Sequence, residues 1–421
     1  MFAVVAGVVG VSFAIFTPPF ASPDESTHFF RAYQLSQGKV FAEAHEDRAG
    51  GRMPASVNRD VGDLDVIGAA PGWSERWDLL HAPTGGRREW TGFQNTALYP
   101  PFTYVPQALA IGAGRAAGLS TLALLYLARL ANVAVFVALA AYAARRFPRS
   151  PWLVFGVALL PGTLFLAGSA SPDAFTLALC AVVLAEAVRA DRPWVLLGAA
   201  AVLGLAKPPY FLVSIAALVV WLVRGRRRWQ LPTATGLCVG LAFLWSRWAD
   251  HIFVPYRPII APDLDVRPHA QQSYLLGHPL GFLEALGGTI GEDWKIWIGQ
   301  ALAPFGRGIE VAVPLAMAGG AFLVLVLVLT RREPMDARLR ATFGVLAVLV
   351  VLATAVAVYL YSNAVGADRV GLFYGRYLIP VLPALLVVLP GGRSLRRRAL
   401  VDSGLFLTAA TIGVVAVVSV T

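Results

Sequence analysis

Long apolar blocks alternate with short basic or polar stretches along this chain, and most blocks have the length of a membrane-crossing helix. Val311–Thr330, Thr342–Leu360 and Leu400–Val420 run almost free of charge, each near the ~20 residues that span a bilayer as an α-helix. No period-two alternation runs through them, which favours an all-α integral membrane bundle over an outer-membrane barrel. Spans are expected at about 2–16, 121–144, 151–168, 173–190, 194–206, 208–224, 231–249, 311–330, 340–361, 377–390 and 400–420. That is about eleven crossings in a single membrane domain covering 1–421.

Two polar stretches break the series. The first, 17–120, is rich in Gly, Asp, Arg and Trp up to about Asn95 and cannot sit in lipid. It reads as an external loop with interfacial helices at about 23–37 and 99–118. Pro100, Pro101, Pro106 and Arg115 keep 99–118 from being counted as a crossing. Counting it would place Arg145–Arg149 outside and invert every later basic loop. The second external loop runs from about 250 to 310 and holds His251, His269, His278, Trp294 and Trp297. No internal repeat of the kind that marks many transporters is visible.

Composition supports this reading and charge orients it. The chain is 57% hydrophobic and 14% charged, against roughly 25% charged in a soluble domain. The net charge of +10 does not point to nucleic acid, because the basic residues cluster in short connections. Arg145–Arg149, Arg224–Arg228, Arg331-Arg332 and Arg393–Arg398 are such clusters, and they mark the cytoplasmic side by the positive-inside rule. Phe2–Phe16 lacks the positive n-region of a cleaved signal peptide. It reads as a retained first span with a cytoplasmic N-terminus, in a multi-pass protein of the cell membrane. Cys180 and Cys238, both in apolar blocks, imply neither a disulfide framework nor a thiolate metal site.

Candidate chemistry begins where the first span exits. Asp24, His28 and Arg31 follow it at spacings that share one helical face, flanked by Phe29, Phe30 and Tyr33. Ser22, Pro23 and Glu25 compose a capping box, with Ser22 as N-cap and Pro23 at the first helical position. With Glu25 occupied in capping, Asp24 is the better candidate for a base that deprotonates a hydroxyl arriving from outside.

Further polar sites fall at external helix ends in the same topology. Ser171-Pro172-Asp173 opens one span, with capping by Ser171 as the plainer reading. Lys207-Pro208-Pro209-Tyr210 forms an outward turn, and Tyr374-Gly375-Arg376-Tyr377 precedes another span. Lys207 and Arg376 are either snorkelling anchors or a clamp for an anionic phosphate near the carboxylate. The run Tyr99–Gln107 either breaks and anchors an interfacial helix or lines a groove for the acceptor. The three histidines of the second external loop lack a compact metal-ligand spacing.

Thr17-Pro18-Pro19-Phe20-Ala21-Ser22-Pro23-Asp24-Glu25, followed by His28-Phe29-Phe30-Arg31-Ala32, resembles the opening signature of the bacterial membrane family known as domain of unknown function 2142. Tyr99–Ala108, Ser169–Asp173, Lys207-Pro208-Pro209 and Gly375–Pro380 follow in the order that resemblance leads one to expect. The stretch from about Gly38 to Asn95 matches nothing in it. The family is similar in layout to GT-C glycosyltransferases such as the protein mannosyltransferases and the lipid A aminoarabinose transferase. That likeness implies a multi-span enzyme with an acid in its first external loop, where Asp24 and Glu25 stand. It implies a polyprenyl-phosphate-sugar donor and a glycan, lipid or protein acceptor, with transfer on the external face and inversion at the anomeric carbon.

In that frame Asp24, Glu25 and His28 are the catalytic candidates, and Arg31, Lys207 and Arg376 the donor-phosphate ligands. Tyr99, Gln107, Asp173, Tyr374 and Tyr377 line the substrate groove. No metal ligand set is assigned, and a divalent cation is an optional cofactor. The alternatives are a transporter or flippase for lipid-linked glycans and a non-catalytic assembly subunit for cell-envelope polymers.

Overall fold

The computed structural model describes residues 1–65, 71–224, 228–255, 265–330, 333–389, 401–405, 407, 408 and 411. Most of the predicted span at 400–420 and much of three basic connections (225–227, 331–332 and 390–400) lie outside the described residues. The fold is predominantly helical. Helix Asp173–Arg189 occupies the centre, with every residue from Asp173 to Val188 buried, as expected for a helix that is apolar all round. Thr121–Arg146, Pro193–Gly204, Ile215–Arg224 and Gly375–Val388 pack against it.

The peripheral helices turn bare apolar side chains outward. Val4, Val8, Phe243, Leu244, Met317, Val324, Val328, Val345 and Val348 are all more than half exposed. An apolar exterior of this extent matches a lipid-facing surface rather than a water-facing one. Charge falls at the helix ends. Between Arg129 and Arg145 the helix Thr121–Arg146 carries no Asp, Glu, Lys, Arg or His. At its far end Arg146 pairs with Glu186 and Asp191, and Tyr142 donates to Glu186 at 2.8 Å. Thr121–Arg146 and Ala337–Ser362 are each long and apolar enough to cross a bilayer. Phe2–Phe16, Pro193–Gly204, Tyr210–Arg224, Val313–Leu329 and Gly375–Val388 are shorter apolar helical stretches.

Three expected spans are interrupted, each at proline. The 151–168 block divides into Trp152–Ala158 and Pro161–Ala167, because Pro161 has no N–H to continue the first helix but fits the first turn of the second. The 208–224 block starts as a 3-10 turn, Tyr210–Ser214, after Pro208-Pro209. The 377–390 block starts as a 3-10 segment, Gly375–Val381, with Pro380 inside it and Pro383 opening the helix Leu382–Val388.

The two polar segments are more ordered than loops. Glu43–His45, Arg48–Pro54 and Arg88–Gly92 form an antiparallel sheet in that order, with Glu43 opposite Gly50 and Gly50 opposite Gly92. This small sheet is an addition to a fold that is otherwise helical, as expected. Helices Ala55–Leu64 and Trp73–Leu80 complete the unit. Its core, built on Phe29, Phe30, Tyr33, Met53, Val57 and Phe93, seats it on helix Glu25–Ser36. The 99–118 stretch is a 3-10 turn, Phe102–Tyr104, leading into helix Val105–Ala116. The second expected loop, 250–310, contains helices Pro268–Gly277 and Pro279–Leu302.

Candidate active site

The Asp24 turn is shaped by its own sequence. Glu25 N–H donates to Ser22 O at 3.1 Å, closing a turn with Pro23 and Asp24 at its centre. Asp24 has φ 58°, ψ 18°, and proline followed by a positive-φ residue is the chemistry of a type II turn. Asp tolerates this left-handed region better than most residues. The capping box expected from Ser22 and Glu25 is therefore absent. The helix begins at Glu25 with Asp24 as N-cap, without a side-chain cap bond, and Ser22 Oγ has no partner among the described residues.

Two glycines allow close backbone approaches, one at this turn and one just ahead of Arg376. Gly306 packs against Ala21 O, where a Cβ would stand 2.0 Å from that oxygen. Gly375 packs against Trp297 O, where a Cβ would stand 1.8 Å away. Neither close approach leaves room for a side chain. Gly375 directly precedes Arg376, which pairs with Asp24.

The resulting cluster joins four charges. Arg376 Nη2 donates to Asp24 Oδ2 in a close ion pair, and its Nη1 donates to Pro23 O at 3.2 Å. Asn95 Nδ2 donates to Asp24 Oδ1 at 3.3 Å. Lys207 Nζ donates to Asp173 Oδ1 at 2.9 Å. Arg376 Nε stands 3.8 Å from Asp173 Oδ2, and both atoms lack a hydrogen-bond partner among the described residues.

Aromatic rings wall the cluster. Lys207 Nζ lies 4.8 Å from the Tyr377 ring centre and 5.4 Å from that of Tyr99, while the Arg376 guanidinium is 5.3 Å from both Tyr374 and Tyr377. These distances are in the cation–π range. Tyr210 Oη holds Tyr377 O at 2.8 Å. The His28 ring stacks on Tyr99, and its Nδ1 meets Tyr104 Oη at 2.7 Å.

Exposure separates the members. The Asp24 side chain is 37% exposed and that of Arg376 2%, so the carboxylate is the accessible partner. Partial burial pushes the Asp24 carboxyl up. The Arg376 charge outweighs that, with smaller help from His28 and Lys207, and holds it below the ordinary carboxylate value. Burial lowers His28 to about 3, against the opposing pull of Asp173 and Asp24. It is a neutral imidazole at neutral pH. Burial also raises the Tyr99 hydroxyl to about 12.

Residues 8–385 match the family described as Predicted membrane protein (DUF2142). The chain belongs to this family. No curated protein and no solved structure matches it.

In this DUF2142 member the structure gathers Asp24, His28, Tyr99, Asp173, Lys207, Tyr374, Arg376 and Tyr377 at one place. It sends three other expected site residues elsewhere. Glu25, expected as a cap or a second catalytic acid, is committed to Arg129: both side chains are fully buried, with Arg129 Nε to Oε1 at 2.8 Å and Nη2 to Oε2 at 2.6 Å. Ala170 N–H donates to the same carboxylate at 2.9 Å. Arg31, expected on the donor phosphate, is fully buried and gives its N–H groups to Gln34 Oε1, Val40 O and Tyr99 O. It holds Tyr99 in place instead of facing the cluster. Gln107, expected in the groove, is fully buried, and its amide meets that of Asn132 at 3.1 Å.

Arg129 and Asn132 are the support residues that the sequence reading passed over. Arg129 also donates to Ala14 O, Thr17 O and Pro18 O, which ties off the carbonyl end of the first helix. Asn132 Nδ2 gathers Ser169 O and Ser171 O, each at 2.9 Å, and so sets the loop ahead of Asp173. A lone arginine and asparagine inside an apolar span were the available signal.

Among the described residues no group of three or more His, Cys, Asp or Glu is arranged to hold a metal ion. The second-loop histidines are dispersed: His251 and His278 bond to the backbone of their own helices, and exposed His269 lies 3.9 Å from Asp250.

Proposed function

We propose that this chain is a membrane glycosyltransferase that moves a sugar from a polyprenyl-phosphate donor to an acceptor hydroxyl on the non-cytoplasmic face. The carrying observation is the union, in one cluster, of an accessible carboxylate with two buried cations. The proposal includes about eleven crossings, a cytoplasmic N-terminus and a GT-C-like arrangement of the bundle.

In this reading the acceptor hydroxyl gives its proton to Asp24 while its oxygen attacks the anomeric carbon. The bond to the phosphate oxygen breaks on the opposite face, which inverts the configuration. Asp24 loses one negative charge as the leaving phosphate gains one, so the net charge of the site is unchanged across the step. Arg376 and Lys207 stabilise the leaving phosphate electrostatically, and no acid is needed to protonate it.

The resting ion pair gives the base a control. Arg376 keeps Asp24 ionised but weakly basic. A phosphate that shares the Arg376 guanidinium draws it from Asp24, and basicity rises when donor is present. Neutral His28 on Tyr99 orients rather than charges the site. Asp173 and Arg376 Nε, with their unsatisfied atoms, suit a sugar hydroxyl that accepts from one and donates to the other.

A transporter of lipid-linked glycans is the second reading. The interrupted segments after Lys207 and Gly375 favour it, because broken helices at a buried polar site are frequent in transporters. One lipid analysis separates the two. Cells lacking the gene should accumulate a polyprenyl-phosphate sugar if the chain is a transferase. An unchanged polyprenyl-phosphate-sugar pool, with a stranded lipid-linked glycan, would contradict transfer.

A further inference from the structure

Helix Trp73–Leu80, in the sheet-bearing unit, leaves two indole rings bare: Trp73 is 49% exposed and Trp77 65%. One helical turn apart, they share a face. Large apolar side chains grouped on a surface mark a place of contact.

The other faces of this short helix are accounted for. Arg76, 2% exposed, points inward: its Nε donates to Pro71 O at 2.9 Å and its Nη1 reaches Ile15 O at 3.5 Å. Leu79 and Leu80 are half-buried against the core of the unit. Glu75 and Asp78 are exposed and lie off the indole face, where water serves them. Protein covers one side and water suits another, which leaves the indoles.

Helix Phe2–Phe16 shows what lies beside them. Val4, Val8 and Ile15 run along one side of it, exposed by 67%, 53% and 37%. Ser12, the polar residue near this stripe, turns its hydroxyl back to Val8 O at 2.9 Å, which leaves it no need of water. The stripe is part of the apolar exterior that fits lipid. It ends at Phe16, whose ring meets Trp73 edge-on, with ring centres 5.7 Å apart at 82°. The Arg76 guanidinium stands 4.7 Å over the Trp73 ring and fixes the indole there. The hydrocarbon-facing stripe and the indole face are therefore one continuous surface. A second bare pair, Trp194 and Trp229, meets edge-on at the starts of helices Pro193–Gly204 and Gln230–Asp250. That pair lies towards the other end of the bundle, where Arg146 pairs with Asp191.

We propose that helix Trp73–Leu80 docks on the bilayer surface, with Trp73 and Trp77 seated at headgroup level beside the end of helix Phe2–Phe16. Tryptophan suits that boundary because its ring is apolar and its N–H can bond to headgroups or water. The exposed acids of the helix make no demand for anionic lipid, so the partner is an ordinary zwitterionic surface. Docking holds the sheet-bearing unit on the membrane next to the helix that leads into the Asp24 turn. The proposal is independent of the catalytic reading.

The test uses the full-length protein with Cys180 and Cys238 replaced by serine, in phosphatidylcholine nanodiscs. A fluorophore is attached at Trp77→Cys and, in a separate protein, at Glu75→Cys. Both positions are exposed, so neither change disturbs packing, and Trp73 is kept in each. Quenching by phosphatidylcholine spin-labelled near the headgroup is compared with quenching by aqueous iodide. Lipid quenching at 77 should exceed that at 75 by about twofold or more, with the iodide order reversed. Equal lipid quenching at the two positions would overturn the proposal and leave the helix in water. Weak quenching at 77 by both agents would overturn it as well, because protein such as a second copy of the chain would then cover the indole face.

Discussion

Asp24 and Arg376 stand 352 positions apart in the chain and meet in an ion pair whose carboxylate is 37% exposed and whose guanidinium is 2% exposed. The asymmetry divides their roles. The arginine is fixed by Pro23 O, Asp24 and two tyrosine rings, while the carboxylate faces what enters the site.

Arg376 should govern donor binding. Loss of a charge-assisted hydrogen bond is worth about 1.5–3 kcal/mol, so Arg376→Gln should weaken binding of a polyprenyl phosphate roughly 10- to 100-fold. Arg376→Lys should recover a minority of that, because an ammonium cannot reproduce the planar fork. Binding to detergent-solubilised protein, with melting temperature in parallel, checks both. Equal affinity in wild type and Arg376→Gln would leave Arg376 as an anchor.

Glu25 should matter for folding. Its carboxylate is fully buried against Arg129, and removing one partner of such a pair costs about 3–5 kcal/mol. Glu25→Gln should lower yield and melting temperature sharply. The double variant Glu25→Leu/Arg129→Met should regain part of the stability, since no lone charge is left behind. Recovery stays partial because Ala14 O, Thr17 O and Pro18 O lose their donor. A Glu25→Gln protein as stable as wild type would contradict this assignment.

Stability should depend on pH through His28. Its folded-state value of about 3 lies below the ordinary histidine value of 6.5. Between those limits the unfolded chain binds a proton that the native chain does not. Stability is therefore full above about pH 6.5 and falls as pH drops towards 3, by up to about 1.4 kcal/mol per pH unit. Asp24, with its lowered value, adds a loss only below the ordinary carboxylate value of 3.8, as it becomes protonated. Melting temperatures from pH 7.5 to 5 should decline in wild type and decline less in His28→Gln. Parallel slopes would exclude His28 as the source.

Orientation can be read by labelling. With Cys180 and Cys238 replaced by serine, a cysteine at exposed Gly85 should react with an impermeant maleimide on intact cells. One at exposed Arg192 should react only after permeabilisation. The opposite pattern would place the Asp24 cluster on the cytoplasmic face.

The parts of this structure that were legible in the sequence share a local cause. Apolar blocks showed the helices of the bundle, and Lys207-Pro208-Pro209 showed a turn carrying charge, whereas Pro23-Asp24 was read as the first turn of a helix and is the turn ahead of it. The interruption at Leu159–Leu160 was hidden because both halves of the block are equally apolar. Helix Pro279–Leu302 was hidden by Gly287, Gly288 and Gly291 and by its mixed charge. The sheet strand Arg48–Pro54 was hidden by Gly50 and Gly51, which leave little alternation to read. Glu25 was read as a cap because its partner lies 104 positions away, outside any local pattern. Arg31 was read on the Asp24 stripe from helical spacing, which cannot tell that Tyr99 O would take its donors.

The central claim, that Asp24 is the base, rests most directly on Asp24→Asn. The amide keeps the size of the side chain and tolerates the same left-handed turn, so melting temperature should stay near that of wild type. Transfer is assayed with the purified protein and the lipid-linked sugar that accumulates in cells lacking the gene. The account predicts a fall of about 10²- to 10⁴-fold in the rate with donor saturating. A folded Asp24→Asn protein that transfers sugar at close to the wild-type rate would contradict it.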